Sequence, residues 1–420
     1  MKNITTGNTL IKNFSFTILI NIANLISPII VLPYILNILG IEKFGIIILT
    51  QSIMSYFIVI VDYGFNITAV QMCSINRENK AILSDIISNV LTTKFYLVFL
   101  CLIVCIVLLL IMPNFSSDYF LFLSSFGLII AKTVFPIWFF QGIEQIKYAA
   151  FFNILAKIFL FILIMYFIVE KNDYKYVNLF FAVGDIFMGI ISLFFIKYYW
   201  NIDIKYTSWE KTYNNIKEDF PLVLTNLSIV TYSGMNIVIL SLFASPLIIG
   251  AYAVAEKVVI TIKFMVGIIL QSTFSYASRL AENSINKYTL FLRYEFIALA
   301  SFFSIAGIML FLTSNYLSIL LTKDLNKSLE VSNYIKLMSF IPLIVSLNTP
   351  AYQTLLIHNK KRIYLLVIGI GTIMNLALNF ILAKYFFAIG TIITIIITEL
   401  FITFGLIFFA SREKIFFKLI

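Results

Sequence analysis

Long apolar runs separated by short charged links follow one another along the chain from Leu10 to Ala410. A helix needs about 20 apolar residues to cross a hydrocarbon layer ~30 Å thick, and each of these runs reaches that length. The pattern therefore predicts an all-α polytopic membrane protein with about twelve transmembrane helices. The predicted spans are residues 10–38, 44–71, 86–112, 119–141, 147–169, 176–197, 220–244, 250–277, 288–312, 334–357, 363–383 and 388–410.

A polar segment in the middle of the chain divides these spans six and six. We expect an N-terminal six-helix bundle at 1–197, a cytoplasmic linker at 198–219 and a C-terminal six-helix bundle at 220–420. A weak internal repeat supports two related bundles, because one offset relates Gly45 to Gly250 and Asn21 to Asn226. Bundles repeated in this way are typical of transporters with a central cavity.

The basic residues predict the orientation of the chain. Twelve spans place both termini on one side, and the links on that side are rich in Lys and Arg, whereas the opposite links hold few. Both termini are therefore expected to be cytoplasmic. In the first span, Pro28 and Pro33 predict a bend.

Composition narrows the function. Hydrophobic residues make up 61% of the chain and charged residues 12%, against about 25% charged in soluble domains, which excludes a soluble core. The net charge of +10 is scattered over the links and does not indicate nucleic-acid binding. Three cysteines in apolar surroundings and the lone His358 support neither a metal site nor a cofactor.

Charged residues inside the spans are the candidate functional groups, since each costs about 2.5–3.5 kcal/mol to insert and needs a partner or a wet cavity. Lysines in a lumen suit an anionic substrate, and carboxylates there suit coupling to H⁺ or Na⁺. The anion-binding candidates are Lys157, Lys263 and Lys132, and the ion-coupling candidates are Asp62, Asp185, Glu256 and Glu399. Lys94, Lys336 and Lys384 are expected to snorkel to the interface.

Amides in the spans could line the same cavity. These candidates are Asn21, Asn24, Asn226, Gln271, Asn348, Asn375 and Asn379. Two other interpretations stay open: intramembrane amides often hold helices together, and Lys157 could form a structural ion pair with Asp185 on the next span.

Five segments resemble one family. They are NIANLISPIIVLPYILNILGIEKFG (21–45), DYGF (62–65), PIWFFQGIEQ (136–145), IIGAYAVAEKVV (248–259) and NLALNFILAKYFFAIGTIITIIITE (375–399). They are similar to polysaccharide biosynthesis proteins of the O-antigen flippase (Wzx) type, within the superfamily of multidrug, oligosaccharidyl-lipid and polysaccharide exporters. The resemblance covers essentially the whole chain. In DYGF and FQGIE we expect Gly64 and Gly142 to permit close helix packing.

The resemblance implies a MATE-like fold of two six-helix bundles around a central cavity. It also implies a cargo, an undecaprenyl-diphosphate-linked oligosaccharide moved from the inner to the outer leaflet of a bacterial cytoplasmic membrane. Its implied partners are the lipid bilayer, an O-antigen polymerase and a chain-length regulator. No individual site residue is carried over, since the cavity charges of such flippases vary with the cargo.

Two other functions are compatible with the chain. An ion-coupled exporter of small drugs or metabolites would share the fold but favour an aromatic, acidic lumen. A membrane-embedded enzyme of glycan assembly would need a large outer loop, and the longest one here is short. Neither a phosphate-binding GxxxxGKS loop nor a catalytic triad is visible, so we expect a transporter and not an enzyme.

Overall fold

The computed structural model describes residues 2–111 and 118–412, and these residues form helices joined by short connections, with no β-strand among them. The predicted all-α fold class is confirmed. The helices are α1 (Lys2–Asp62), α2 (Phe65–Ile75), α3 (Lys80–Ile111), α4 (Tyr119–Ser125), α5 (Gly127–Val134), α6 (Ile137–Gly142), α7 (Ile146–Phe167), α8 (Val177–Trp200), α9 (Trp209–Ser241), α10 (Pro246–Asn283), α11 (Ile285–Thr322), α12 (Leu325–Met338), α13 (Ile341–Leu347), α14 (Thr349–Ile357) and α15 (Lys361–Arg412). A short 3-10 helix, Lys171–Tyr176, precedes α8.

Eight helical stretches of the described chain are long and apolar enough to cross a membrane. Two of them, Ser15–Ile75 and Lys361–Arg412, are 61 and 52 residues long and can each supply two crossings. Their backbones are broken at Gly40 and Phe387 respectively. Together with α9 and α10, which are 33 and 38 residues long, they agree with the predicted pattern of spans.

The break inside α1 lies at Gly40, in the link predicted between the spans 10–38 and 44–71, and the bend expected from Pro28 and Pro33 stays a prediction. The backbone of α1 is helical through Pro28 and Pro33 and leaves helical geometry at Gly40, where φ is +78°. A positive φ of this kind is accessible to glycine without steric cost, so the sharp change of direction occurs there.

The chain contacts divide the molecule into two compact units. Unit 1 comprises Met1–Gly40 and Ile47–Thr231, and unit 2 comprises Ile41–Ile46 and Tyr232–Ile420. The short stretch after Gly40 therefore packs with the second unit although the rest of α1 belongs to the first. The predicted division at 197 and 220 stays a prediction.

Unit 1 has a core rich in aromatic rings. In it α7 packs against α8, α5 against α8 and α2 against α6. Trp138, Phe139 and Phe140 of α6 are buried at its centre, and the rings of Phe139 and Phe140 contact Trp200 at the end of α8.

The segment that joins α8 to α9, residues 201–208, has no helical structure and lies along α3. Three hydroxyls of α3 bind its backbone. Ser84 donates to the Asp203 carbonyl, while the Lys205 amide donates to Ser88 at 2.8 Å and the Thr207 amide to Thr92 at 3.3 Å. The first part of the predicted linker is thus fixed to unit 1. We refer to residues 201–208 as the α3 strap.

Unit 2 is formed by α10 to α15, the end of α9 and the short stretch Ile41–Ile46 of α1. α11 packs against α12 and α13, α10 against α12, and α14 against α15. Its apolar core includes one cluster around Tyr288, Leu355 and Leu406 and a smaller one around Phe303.

Large apolar side chains cover much of the outer surface of both units. Leu110 and Phe194 of unit 1 and Leu312 and Phe404 of unit 2 are largely exposed. Exposed apolar surface on this scale is unfavourable in water and is expected where lipid chains surround the helices.

Candidate functional site

Unit 1 contains a mostly buried ion pair between neighbouring helices. Lys157 of α7 places its Nζ 2.8 and 3.0 Å from the two carboxylate oxygens of Asp185 on α8. The pairing that the sequence left open as an alternative is confirmed. The carboxylate compensates the lysine charge locally, which a span requires of any buried cation.

Asp62, at the end of α1, has a different lysine as its partner. The Nζ of Lys94 lies 2.7 Å from Asp62 Oδ1, and the Lys94 side chain is almost completely buried. The expectation that Lys94 snorkels to the interface is therefore wrong, because its ammonium points inward to a carboxylate. The other Asp62 oxygen accepts a hydrogen bond from Asn66 at 3.3 Å.

Unit 2 contains an ion pair between helices whose lysine is more exposed than Lys157. Lys263 of α10 and Glu399 of α15 are 2.6 Å apart, with 4% of the Glu399 side chain and 33% of the Lys263 side chain exposed. The carboxylate is thus enclosed, whereas the lysine is partly open to its surroundings.

Two cavities of unit 2 share this pair in their walls. The smaller, about 70 Å³, is also lined by Glu256, Asn236 and Asn375. The larger, about 520 Å³, is mostly apolar and is also lined by Asn348. An apolar cavity with a few convergent polar groups is the usual form of a small-molecule or headgroup site. We call these two spaces and their lining residues the unit 2 site.

Short hydrogen bonds position the polar residues around the smaller cavity. Tyr252 donates to Glu256 at 3.0 Å, Asn379 donates to Asn236 at 3.0 Å, and Asn375 donates to Thr398 at 3.4 Å. The buried Asn375 and Asn379, one turn apart on α15, thus link that helix internally and to α9. Asn348 donates to Thr403 at 3.4 Å at the edge of the larger cavity.

The remaining candidates lie elsewhere. Asn24 accepts a hydrogen bond from Asn153 at 3.2 Å, which joins α1 to α7 in the manner of a helix-packing contact. Asn21 and Asn226 are half-buried, and Lys132 and Gln271 are exposed. Neither Lys132 nor Gln271 lines the unit 2 site.

Several buried polar groups were not among the candidates predicted from the sequence. Asn236 of α9 lines the smaller cavity. Glu295 of α11 is buried and accepts hydrogen bonds from Thr273 and Gln353. In unit 1, Asn178 donates to Thr50 and Ser125. Glu295 lies inside the predicted span 288–312, so counting every charge within each span was the signal that could have found it.

DYGF lies at the start of α2 and FQGIE at the end of α6, and these two helices pack against each other in unit 1. A Cβ at Gly142 would lie 2.4 Å from the Cβ of Cys73 on α2, which confirms packing as the role of that glycine. Gly64 instead has φ +88° and caps α2, so its role is the turn between α1 and α2. An ion pair of 2.9 Å joins Arg77, beyond α2, to Glu144, beyond α6.

Comparisons with known proteins agree with the motifs. Residues 10–281 match the model of a family described as polysaccharide biosynthesis protein. The chain is 24% identical over 407 residues to a putative O-antigen transporter of Escherichia coli (strain K12), covering 96% of this chain and 97% of that one. It is 27% identical over 394 residues to a putative O-antigen transporter of Shigella dysenteriae, covering 93% and 97%.

Solved structures share the fold. The lipid II flippase MurJ in an inward closed conformation matches with a TM-score of 0.71 at 15% identity, covering 96% of this chain and 90% of that one. An inward-facing multidrug resistance MATE family transporter of the MOP superfamily matches with a TM-score of 0.67 at 15% identity, covering 95% of each. The all-α polytopic fold predicted from hydropathy is the fold of these transporters. The family match over more than half of its length, together with the motifs, shows that this chain belongs to the polysaccharide biosynthesis protein family.

Proposed function

We propose that this protein is a flippase that moves an undecaprenyl-diphosphate-linked oligosaccharide, an O-antigen or capsule repeat unit, from the inner to the outer leaflet of the bacterial cytoplasmic membrane. Membership of the family, the names of the two relatives and the fold shared with a lipid II flippase support the proposal. Alternating access of two bundles would carry the sugar and diphosphate across while the polyprenyl chain stays in lipid.

The observation that carries the proposal is the position of Lys263. A diphosphate that leaves water needs a cation or hydrogen-bond donors to replace its hydration. Lys263 lies in the wall of both cavities, and 33% of its side chain is exposed, so its ammonium can contact a ligand there. We infer that Lys263 binds the diphosphate, since Lys157 is held by both oxygens of Asp185. Lys132, exposed on α5, stays a second candidate.

Coupling to H⁺ or Na⁺ is a further part of the proposal. Protonation of Glu399 would remove its negative charge beside Lys263 and so favour binding of an anionic substrate at the lysine. This carboxylate can therefore link ion binding to cargo binding. Glu256, at the wall of the smaller cavity, is a second candidate in the same unit. Asp62 and Asp185 are the corresponding candidates in unit 1.

The protein would act in a pathway of glycan assembly as a transporter and not as an enzyme. An O-antigen polymerase and a chain-length regulator are the protein partners that this role implies, on the far side of the membrane. Both termini would then lie in the cytoplasm, as the distribution of basic residues predicts.

A second candidate function is export of small drugs or metabolites. The larger cavity favours it in one respect, because Phe264, Tyr352 and Tyr364 give it an aromatic wall. Such a wall suits planar apolar cations. The two functions differ in their dependence on Lys263, which would repel a cationic drug and attract a diphosphate.

The test is complementation of a strain from which the gene has been deleted, with surface polysaccharide and drug resistance as readouts. Lys263→Ala is expected to reduce surface polysaccharide about ten-fold or more, since a hydrogen bond to a charged group contributes ~1.5–3 kcal/mol. Lys263→Arg, which keeps the charge, should retain part of the export. Lys361→Ala, at an exposed lysine that starts α15, is the matched control and should export normally.

Loss of folding is separated from loss of binding by the double variant Lys263→Met/Glu399→Gln. It removes both charges, so protein level should be normal while export stays low. Full export by the Lys263→Ala variant would show that Lys263 does not bind the diphosphate. Wild-type protein that fails to restore polysaccharide but confers drug resistance would favour the exporter.

A further inference from the structure

A buried carboxyl group of unit 2 lies outside the site described above. Glu295 of α11 is 7% exposed, and Gln353 of α14 is fully buried beside it. Glu295 Oε1 accepts hydrogen bonds from Thr273 of α10 at 2.7 Å and from Gln353 Nε2 at 3.0 Å. Gln353 Nε2 also donates to Thr273 at 2.8 Å. Three helices thus meet at one carboxyl oxygen.

Two other oxygens of this cluster are buried with no hydrogen-bond donor among the described residues. They are Glu295 Oε2 and Gln353 Oε1. A buried acceptor left unsatisfied costs ~1–3 kcal/mol, and more if it carries charge, so a pair of them in one cluster indicates a missing donor. Thr273 and the Gln353 amide are already used at Oε1, and the missing donor must come from outside this set.

Among the residues that the structure describes, Glu295 has no counter-charge. Asp185 and Glu399 each bind a lysine within 3 Å, but no basic side chain in the described part of unit 2 forms an ion pair with Glu295. An ionised carboxylate buried without a cation is strongly unfavourable.

The groups that face Glu295 from the surrounding helices are few. α10 and α14 face it with Thr273 and Gln353. On its own helix Tyr288, two turns earlier, interacts with it electrostatically, whereas the neighbouring Arg293 and Tyr294 are exposed. α13 (Ile341–Leu347) has no titratable side chain. α12 precedes Ser339, which contacts Gly307 in the other half of α11, so its charged residues lie away from Glu295.

A row of polar side chains connects this cluster to a loop. Tyr288 shares a hydrogen bond of 3.2 Å with Thr354, the residue after Gln353. The ring of Tyr288 contacts that of His358, at the end of α14, with centroids 6.4 Å apart. The loop that follows His358 is expected to be cytoplasmic, which provides a path for a small ion from that side.

We propose that Glu295, Gln353 and Thr273 form a proton-binding site in unit 2, with the proton on Glu295 Oε2. A proton neutralises the carboxylate and turns Oε2 into a donor, and Gln353 Oε1 is a buried acceptor in the same cluster. The bound proton comes from water, by way of the His358 loop. Because the site is made by α10, α11 and α14 together, its proton is held while these helices are packed and exchanges when they part.

Resting on the proposed function, we infer that this exchange takes place once in each transport cycle. Glu295 would then couple a proton to movement of the cargo at a position separate from Lys263 and Glu399.

The direct test is infrared spectroscopy of the purified full-length protein in detergent at neutral pH, without cargo. A protonated carboxyl gives a carbonyl stretch that an ionised one lacks, and we expect such a band in the wild type and its loss in Glu295→Gln. Gln353→Leu should shift the band by removing a hydrogen bond to Oε1. Glu399→Gln is the matched control, because Glu399 is equally buried but paired with Lys263, and it should leave the band in place.

Three results would overturn the proton site. A wild-type spectrum identical to that of Glu295→Gln would show an ionised Glu295. A band that disappears in sodium chloride but persists in choline chloride at the same pH would assign the site to Na⁺. A band lost in Glu399→Gln as fully as in Glu295→Gln would assign the proton elsewhere.

The transport role is tested separately with surface polysaccharide as readout. Glu295→Gln mimics the protonated form permanently, so export should fall about ten-fold or more at normal protein level. Normal export by Glu295→Gln, with the band present in the wild type, would overturn the coupling role and leave the proton structural. Because the band is measured without cargo, failure of the flippase proposal would not affect it.

Discussion

Two ion pairs between helices, Lys157–Asp185 and Lys263–Glu399, differ in how exposed their lysines are. Lys157 and Asp185 are both mostly buried and joined by two short contacts. Lys263 is partly open to a cavity while its partner is enclosed. The first pair is therefore expected to stabilise the packing of α7 on α8, and the proposed diphosphate contact falls to Lys263 of the second pair.

The structural role of the first pair predicts an asymmetry between single and double substitutions. Lys157→Ala leaves Asp185 buried without its partner, which costs ~3 kcal/mol or more, so the melting temperature of the purified protein should fall by several degrees. Lys157→Met/Asp185→Leu removes both charges and should recover most of that loss. Lys171→Ala, at an exposed lysine, should leave the melting temperature unchanged. A double variant that melts below the single one would contradict the assignment.

Two glycines on different helices, one on α1 and one on α10, lie in close contact. Gly45 and Gly250, which the repeat in the sequence equates, approach closely inside unit 2. A Cβ on Gly45 would lie 2.7 Å from the Gly250 amide nitrogen, and a Cβ on Gly250 would lie 2.0 Å from the Ile41 carbonyl oxygen. Both obstacles are backbone atoms, so relief requires movement of a helix.

Gly250→Ala should therefore be strongly destabilising. Overpacking against backbone costs about 1–3 kcal/mol and offsets the gain in helix propensity from alanine. The matched control is Gly267→Ala on the same helix, where nothing lies within 4 Å of the added methyl, and which should melt at or above the wild-type temperature. Equal melting temperatures for the two variants would mean that the contact is not as close as described.

The spacing of the hydrogen bonds between α3 and the α3 strap follows from the rise per residue of a helix and of an extended chain. Four residues of helix advance about 6 Å, and two residues of extended chain advance about 6.6 Å. Hydroxyls at every fourth position of α3 can therefore bind the backbone of every second strap residue. Ser84, Ser88 and Thr92 bind residues 203, 205 and 207 in this way.

Removal of two of these hydroxyls should loosen the strap. Each hydrogen bond contributes about 1 kcal/mol, so Ser88→Ala/Thr92→Val should increase local opening, and with it trypsin cleavage after the exposed Lys205, about ten-fold or more. Ser52→Ala is the control, since that hydroxyl bonds within its own helix, to the Ile48 carbonyl. An unchanged cleavage rate in the double variant would show that the ring contact between Tyr96 and Tyr206 suffices to hold the strap.

At the scale of the whole molecule, hydropathy alone predicted the fold class, because a bilayer imposes span lengths that the sequence displays directly. The pair of Lys157 with Asp185, on consecutive helices, was one of the alternatives that the sequence left open. Pairing of Lys263 with Glu399 could not be predicted, since 136 residues separate them and no local periodicity relates α10 to α15.

The errors about Lys94 and Glu295 have one physical origin, because the surroundings of both side chains depend on which helices pack together. Lys94 was assigned to the interface from its distance along the helix, but the end of α1 brings Asp62 to it. Glu295 was overlooked because a single carboxyl near a span end resembles an interfacial residue. Its burial depends on how α10 and α14 pack around it, which only the tertiary structure shows.

Translocation of a lipid-linked oligosaccharide by the purified protein tests the proposed flippase function. The measurement uses liposomes that contain an undecaprenyl-diphosphate-linked oligosaccharide and follows how much of it an impermeant lectin can reach from outside. Wild-type protein should expose the pool of the inner leaflet, while Lys263→Ala should leave it largely protected and Lys361→Ala should act like the wild type. A wild-type protein that leaves the pool as protected as empty liposomes do, or a Lys263→Ala variant that exposes it equally fast, would contradict the account.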